Sequence, residues 1–145
     1  MTRTTSRRQF LRYAAGAALS PVIVPAGALG RDGLPAPSNR ITIGMIGVGG
    51  HGTSVNLRGF LAQPDARVLA VCDVDRNRAE EARRLVNRQY GNEDCAVYQD
   101  FREVLSRPDL DAVAISTPDH WHVPISVAAL RAGKDVLCEK PTLTV

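Results

Sequence analysis

Residues 41–46, Ile-Thr-Ile-Gly-Met-Ile, run directly into Gly47-Val48-Gly49-Gly50-His51-Gly52. A glycine cluster between an apolar strand and a following helix admits few folds. The chain must turn tightly there and pack the new helix close against the strand it has just left. From this point strand-like and helix-like segments alternate. Leu57, Phe60 and Leu61 share one face of a short helix that Pro64 follows, and residues 66–73 read as a second strand. Asp75 is placed as the N-cap of a helix with Ala79, Ala82 and Val86 on one face and Gly91 as its stop. Residues 95–98 make a weak third strand, and Phe101, Val104 and Leu105 one short helical face before Pro108. Residues 111–116 make a fourth strand. Val123, Val127 and Leu130 mark the next helix, Gly133 is placed to end it, and residues 135–138 make a fifth strand. Nearly continuous apolar strands separated by helices predict a parallel sheet covered on both faces. With right-handed crossovers the fold class is α/β, a doubly wound parallel sheet.

Charge narrows the partners. The 145 residues carry a net charge of +3, but Arg3, Arg7, Arg8 and Arg12 all precede residue 28 in a stretch without acids. The remainder holds 14 basic and 15 acidic side chains. A nucleic-acid binder keeps its basic surface on the folded part, so no nucleic-acid partner is expected. Cys72, Cys95 and Cys138 lack Cys-x-x-Cys or Cys/His spacing, and two of them end apolar runs. Buried free thiols are expected, with neither a metal site nor a disulfide framework.

Ser6-Arg7-Arg8-Gln9-Phe10-Leu11 matches the twin-arginine export pattern. The apolar stretch from Tyr13 to Leu19 is too short to span a bilayer, which takes roughly 20 residues. Ala26-Gly27-Ala28 supplies small residues for cleavage. Residues 1–28 therefore read as a signal peptide handled by the twin-arginine translocase, with a periplasmic or otherwise exported destination. Residues 29–40, rich in proline and glycine, read as a linker.

Gly47, Gly49 and Gly52 form Gly-x-Gly-x-x-Gly in the strand-turn-helix setting that a dinucleotide loop requires. Gly47 permits the turn, Gly49 lets a pyrophosphate approach the backbone, and Gly52 brings helix and strand together. Gly50 and His51 complete the loop at a helix N-terminus, whose free N–H groups suit phosphates. Asp73 ends the second strand 21 residues beyond Gly52, where a carboxylate bonds ribose hydroxyls and repels a 2′-phosphate. NAD is the expected cofactor; Arg76 and Arg78 just downstream leave NADP open.

Residues 116–141, Ser-Thr-Pro-Asp-His-Trp-His through Cys-Glu-Lys-Pro, carry a more specific signal. With the glycine loop, Thr117-Pro118, the Ala132-Gly133-Lys134 turn and Glu139-Lys140-Pro141, the chain from residue 41 to 145 resembles the Gfo/Idh/MocA oxidoreductases. That is the family of glucose–fructose oxidoreductase and myo-inositol dehydrogenase. The resemblance implies a Rossmann domain cut before its last strand and before a C-terminal α/β domain that supplies the substrate pocket and the catalytic base. It implies that Thr117 and Pro118 lie along the cofactor, that Glu139 contacts the nicotinamide-side ribose, and that Lys140 reaches the substrate. It also implies a cis Lys140–Pro141 bond and a homo-oligomer at full length. It implies a cofactor contact from Asp119 too, which stands where Asn is commoner. Thr144 is placed as the N-cap of a further helix.

The chemistry of Lys140 follows without the family. Removing a hydride from a carbinol carbon requires loss of the hydroxyl proton, and an ammonium at that oxygen stabilises the developing alkoxide. Glu139 next door is expected to hold Lys140 in place or keep it charged. His120 and His122 are one residue apart without further zinc ligands. Neither is expected to be the base, and Trp121 either walls the pocket or packs. The expected activity is hydride transfer to or from a small sugar or polyol by an exported enzyme with tightly held NAD(P), the 145 residues alone being inactive. Alternatives are an NAD-dependent glycosidase of the same superfamily and a non-catalytic dinucleotide-binding module. Lys140 speaks against the glycosidase, where many members carry Val.

Overall fold

The structure is a computed structural model that describes Gly30 and residues 35–141. The expected export signal at 1–28, residues 29 and 31–34 of the expected linker, and Thr144 lie outside the described residues. Five strands, β1 (Ile41–Ile46), β2 (Ala66–Cys72), β3 (Ala96–Tyr98), β4 (Ala112–Ile115) and β5 (Asp135–Cys138), form one sheet. Its order is β3-β2-β1-β4-β5 and every pairing is parallel. The direction of winding changes between β1 and β4, so the crevice for a ligand opens at their carboxyl ends.

Helices cover both faces. The first, α1, joins a π-helical segment (Gly52–Leu57) to an α-helical turn (Arg58–Leu61). Together with α2 (Arg76–Tyr90) it packs on one face over Met45, Val68, Val71 and Ala114. On the other face α3 (Phe101–Leu105) and α4 (Asp119–Arg131) enclose Ile46, Ala70, Val113 and Ile115. Local chemistry sets the helix ends. The Asp75 side chain accepts from the Asn77 N–H at 2.9 Å, Asp100 does the same for Arg102, and α2 stops at Gly91 with φ +67°. That left-handed conformation is open to glycine at little cost.

The apolar positions that mark α4 in the sequence are its outward stripe. Val123, Val127 and Leu130 are exposed, whereas His122, Ile125 and Ala129 face the sheet. The helix also begins earlier than those residues suggest. Asp119 opens it behind Pro118, and Pro124 sits inside it. Beyond its C-terminal Gly133, with φ +74°, Lys134 is buried. Its ammonium donates to the carbonyls of Arg107 at 2.7 Å and Leu110 at 2.8 Å, anchoring the loop between α3 and β4.

Candidate functional site

The glycine loop leaves β1 at Gly47, whose N–H donates to the Cys72 carbonyl at 2.8 Å. Gly47 has φ +87°, and a Cβ there would stand 2.7 Å from the Ser116 backbone. At Gly52 a Cβ would stand 2.3 Å from the Gly47 carbonyl oxygen, so the π-helical start of α1 lies directly against the turn. The outer positions differ. A Cβ at Gly49 would meet only the guanidinium end of Arg78 at 3.5 Å, and one at Gly50 nothing within 4 Å. Two glycines are thus required by the protein's own packing, and two line open space at a helix N-terminus.

Asp73 lies just past β2 and is 9% exposed. Its Oδ2 accepts from the Val48 N–H at 3.0 Å and its Oδ1 from the Asp75 N–H at 2.9 Å. The carboxylate therefore clasps the glycine loop to the start of α2, using one lone pair on each oxygen and leaving others open. Arg78, exposed on α2, pairs with Asp75 at 3.4 Å.

Opposite the loop, β4 leads into Ser116-Thr117-Pro118. The Thr117 Oγ1 is buried with no hydrogen-bond partner. Between these walls is a cavity of about 490 Å³ lined by Gly47, Gly49, Asp73, Val74, Thr117 and Trp121. Trp121 is 43% exposed and leans toward Phe101, the ring centroids 6.2 Å apart. Asp119 is exposed in the first turn of α4, where a negative charge is favoured.

Past β5, Glu139 is fixed by its backbone and by its side chain. Its N–H donates to the Ile115 carbonyl at 3.0 Å. Its Oε1 accepts from Asn56 Nδ2 at 2.8 Å and lies 3.3 Å from His51 Nε2. These donors hold the carboxyl below the usual range for glutamate, the Asn56 bond contributing most. The same Asn56 nitrogen donates to Ser116 Oγ at 2.8 Å, so one side chain of α1 joins the segments after β4 and β5. Sequence reasoning missed Asn56 and Ser116. Among the described residues Glu139 makes no side-chain ion pair with Lys140; its acceptor faces α1. Lys140 is exposed, and the Lys140–Pro141 bond is cis.

Cys72 and Cys95 are buried and Cys138 half-buried, all three as free thiols. Burial pushes both Cys72 and Cys95 up to about 12. Among the described residues no group of three or more His, Cys, Asp or Glu is placed to hold a metal ion.

The model of the family described as "Oxidoreductase family, NAD-binding Rossmann fold" matches residues 41–145. The chain belongs to the Gfo/Idh/MocA family. It is 39% identical over 108 residues to a "Glycosyl hydrolase family 109 protein" of Saccharopolyspora erythraea, covering 72% of this chain and 23% of that protein. It is 38% identical over 105 residues to "Inositol 2-dehydrogenase 4" of the same organism, covering 72% of this chain and 29% of that protein. Among solved structures it is similar to the scyllo-inositol dehydrogenase of Lactobacillus casei with bound NAD(H) and scyllo-inositol. That match has TM-score 0.62 and 28% identity, and covers 70% of this chain and 28% of the other. The chain thus spans 23–29% of the length of these relatives.

An NAD cofactor fits the residues present. The open face at Gly49 and Gly50, the free lone pairs of Asp73 and the unpartnered Thr117 hydroxyl suit a ligand rich in phosphate oxygens and hydroxyls.

Proposed function

We propose that the protein carrying this chain is an exported oxidoreductase that moves a hydride between a tightly held nicotinamide dinucleotide and a sugar or polyol. When bound, the dinucleotide supplies the hydride acceptor or donor. The chain's own residues divide the remaining work. Gly49, Gly50 and His51 present the start of α1 to the diphosphate, and Asp73 offers its open lone pairs to ribose hydroxyls. Thr117 and Pro118 form the opposite wall, and Glu139, held by Asn56, lines the crevice mouth. Lys140 directs its ammonium to the substrate oxygen, donating a hydrogen bond as negative charge develops there. NAD is preferred over NADP, since the Asp73 carboxylate repels a 2′-phosphate.

The observation that best supports this reading is Asn56. It draws the segments after β4 and β5 to the glycine-loop helix, so that groups from three elements meet at the carboxyl ends of the strands. The test uses full-length protein incubated with a panel of inositols and aldoses while cofactor absorbance is followed. Turnover is expected with at least one polyol, and Lys140→Met should lower kcat by roughly 100-fold or more while NAD binding changes little. Unchanged turnover in that variant would remove Lys140 from the chemistry.

A second reading is favoured by the glycosyl hydrolase relative at 39% identity. In that case the protein cleaves glycosides with no net change in cofactor redox state, by transient oxidation and elimination. Release of the aglycone from a panel of glycosides, without net reduction of the cofactor, identifies this activity.

A further inference from the structure

His122 is the most buried polar side chain among the described residues, 1% exposed, and no step above uses it. It lies in the first turn of α4. Its Nδ1 is 2.8 Å from the carbonyl oxygen of Pro141, and its Nε2 is 2.8 Å from the carbonyl oxygen of Thr117. Carbonyl oxygens only accept. A neutral imidazole has one N–H and one lone pair, so in either tautomer one nitrogen would face an oxygen at that distance with no hydrogen between them. Turning the ring over does not help, because it puts ring carbons at both carbonyls and leaves both nitrogens without those partners. Only the doubly protonated ring donates to both carbonyls, and its two charge-assisted bonds act against the cost that burial puts on the charged form.

We infer that His122 is an imidazolium clamp, a positioning residue that ties the Thr117-Pro118 segment to the Glu139-Lys140-Pro141 segment. The assignment rests on the reading of those segments as walls of the cofactor crevice. Among the described residues the imidazole makes the one hydrogen bond that reaches Pro141, immediately after Lys140. The charges on the joined elements act in both directions. The N-terminus of α4 disfavours a cation in its first turn, while Asp119 supplies a negative charge in that same turn. Glu139 and Lys140 lie in the held segment, and Arg131 and Asp135 stand at the far ends of α4 and β5. With a neutral ring one of the two carbonyls would be released, and with it the fixed spacing between the two walls.

The test uses full-length protein labelled with ¹⁵N-histidine, in which two-bond ¹⁵N–¹H imidazole spectra separate the imidazolium from each neutral tautomer. At neutral pH both His122 nitrogens are expected to carry hydrogen. A lone-pair nitrogen on His122 overturns the inference. His122→Phe keeps the ring volume and removes both donors. It should lower kcat by roughly tenfold or more through misplacement of Lys140, with a smaller change in NAD affinity. An unchanged kcat removes the positioning role. If the variant does not fold, the spectrum of the unaltered protein decides alone. Full turnover in Lys140→Met would instead remove Lys140 from the chemistry, and no turnover of any polyol or aldose by the unaltered protein would defeat the hydride-transfer reading. Either result leaves the protonation of His122 to stand or fall on its spectrum.

Discussion

Replacing Asp73 by Asn tests the clasp between the glycine loop and α2. The carboxylate accepts one backbone N–H on each oxygen, from Val48 at 3.0 Å and Asp75 at 2.9 Å, and is almost wholly buried. Asn keeps the shape and one acceptor but turns an NH₂ toward the other N–H. One charge-assisted bond is lost, worth about 1.5–3 kcal/mol, and the surviving one weakens by up to about 1 kcal/mol more. A local destabilisation of about 2–4 kcal/mol corresponds to a roughly 30- to 700-fold faster exchange where opening is a rapid pre-equilibrium. Hydrogen exchange read by mass spectrometry on peptides covering residues 47–50 and 74–76 of the full-length protein measures this directly. Titration with NAD and NADP completes the experiment. Without the negative charge, NAD affinity should fall by about tenfold while NADP affinity falls less, narrowing the preference. Unchanged exchange at Val48 and Asp75 would refute the clasp. Equal losses for both cofactors would refute the charge discrimination.

Asn56→Leu removes the donor that contributes most to keeping Glu139 ionised, so the Glu139 carboxyl should titrate nearer the ordinary range. In the unaltered protein the depressed native value gives stability that is present above the ordinary carboxylate range and lost as pH falls through the native value. Carbon-detected NMR of the carboxyl checks the shift, and an unmoved titration contradicts the bond. Cys72 and Cys95, both pushed up to about 12 by burial, should stay unmodified by a thiol reagent at pH 8 in native protein and react after denaturation. Rapid labelling of either in folded protein would show that its burial is wrong. Changing Arg7 and Arg8 to Lys should leave the protein in the cytoplasm with near-stoichiometric dinucleotide bound. Export of that variant, or a cofactor-free exported protein that turns over only with added NAD, counts against transport in the folded, loaded state.

Features whose physical cause is local were legible in the sequence. The Asp75 cap binds an N–H two residues on, and the Gly91 stop depends on its own backbone angle. The bounds of β1 and β5 follow from apolar runs that end in turn residues. On α4 the local signal misled. Both sides of that helix carry apolar residues, and periodicity alone does not say which stripe meets the sheet. Val123, Val127 and Leu130 are the larger set, yet Ile125, Ala129 and His122 were buried. The small Ala129 and the hydrogen-bonded His122 let α4 approach β4 and β5 closely. That requirement comes from the partner strands and leaves no mark on the helix itself.

The site divides along the same line. Gly52 could be read because its steric demand is against Gly47, five residues back. Gly47 could be read because its own φ of +87° marks a tight turn, although a Cβ there would also meet the distant Ser116 backbone. Asn56 could not be read, since its two acceptors are 60 and 83 residues away. A polar residue in the middle of an amphipathic stretch ordinarily faces solvent. The π-helical hydrogen-bond register through Gly52–Leu57 alters the angular phase of the side chains. It keeps Leu57 in the core while Asn56 reaches the strand ends. The two aspartates beside β2 repeat the contrast. Asp75 acts within its own turn, whereas Asp73 reaches back 25 residues to Val48. A motif that assigns Asp73 only to the ribose therefore omits half of its work. Its carboxylate shapes the loop before any ligand arrives, which is why substitution there must be judged by exchange at Val48 as well as by affinity for NAD.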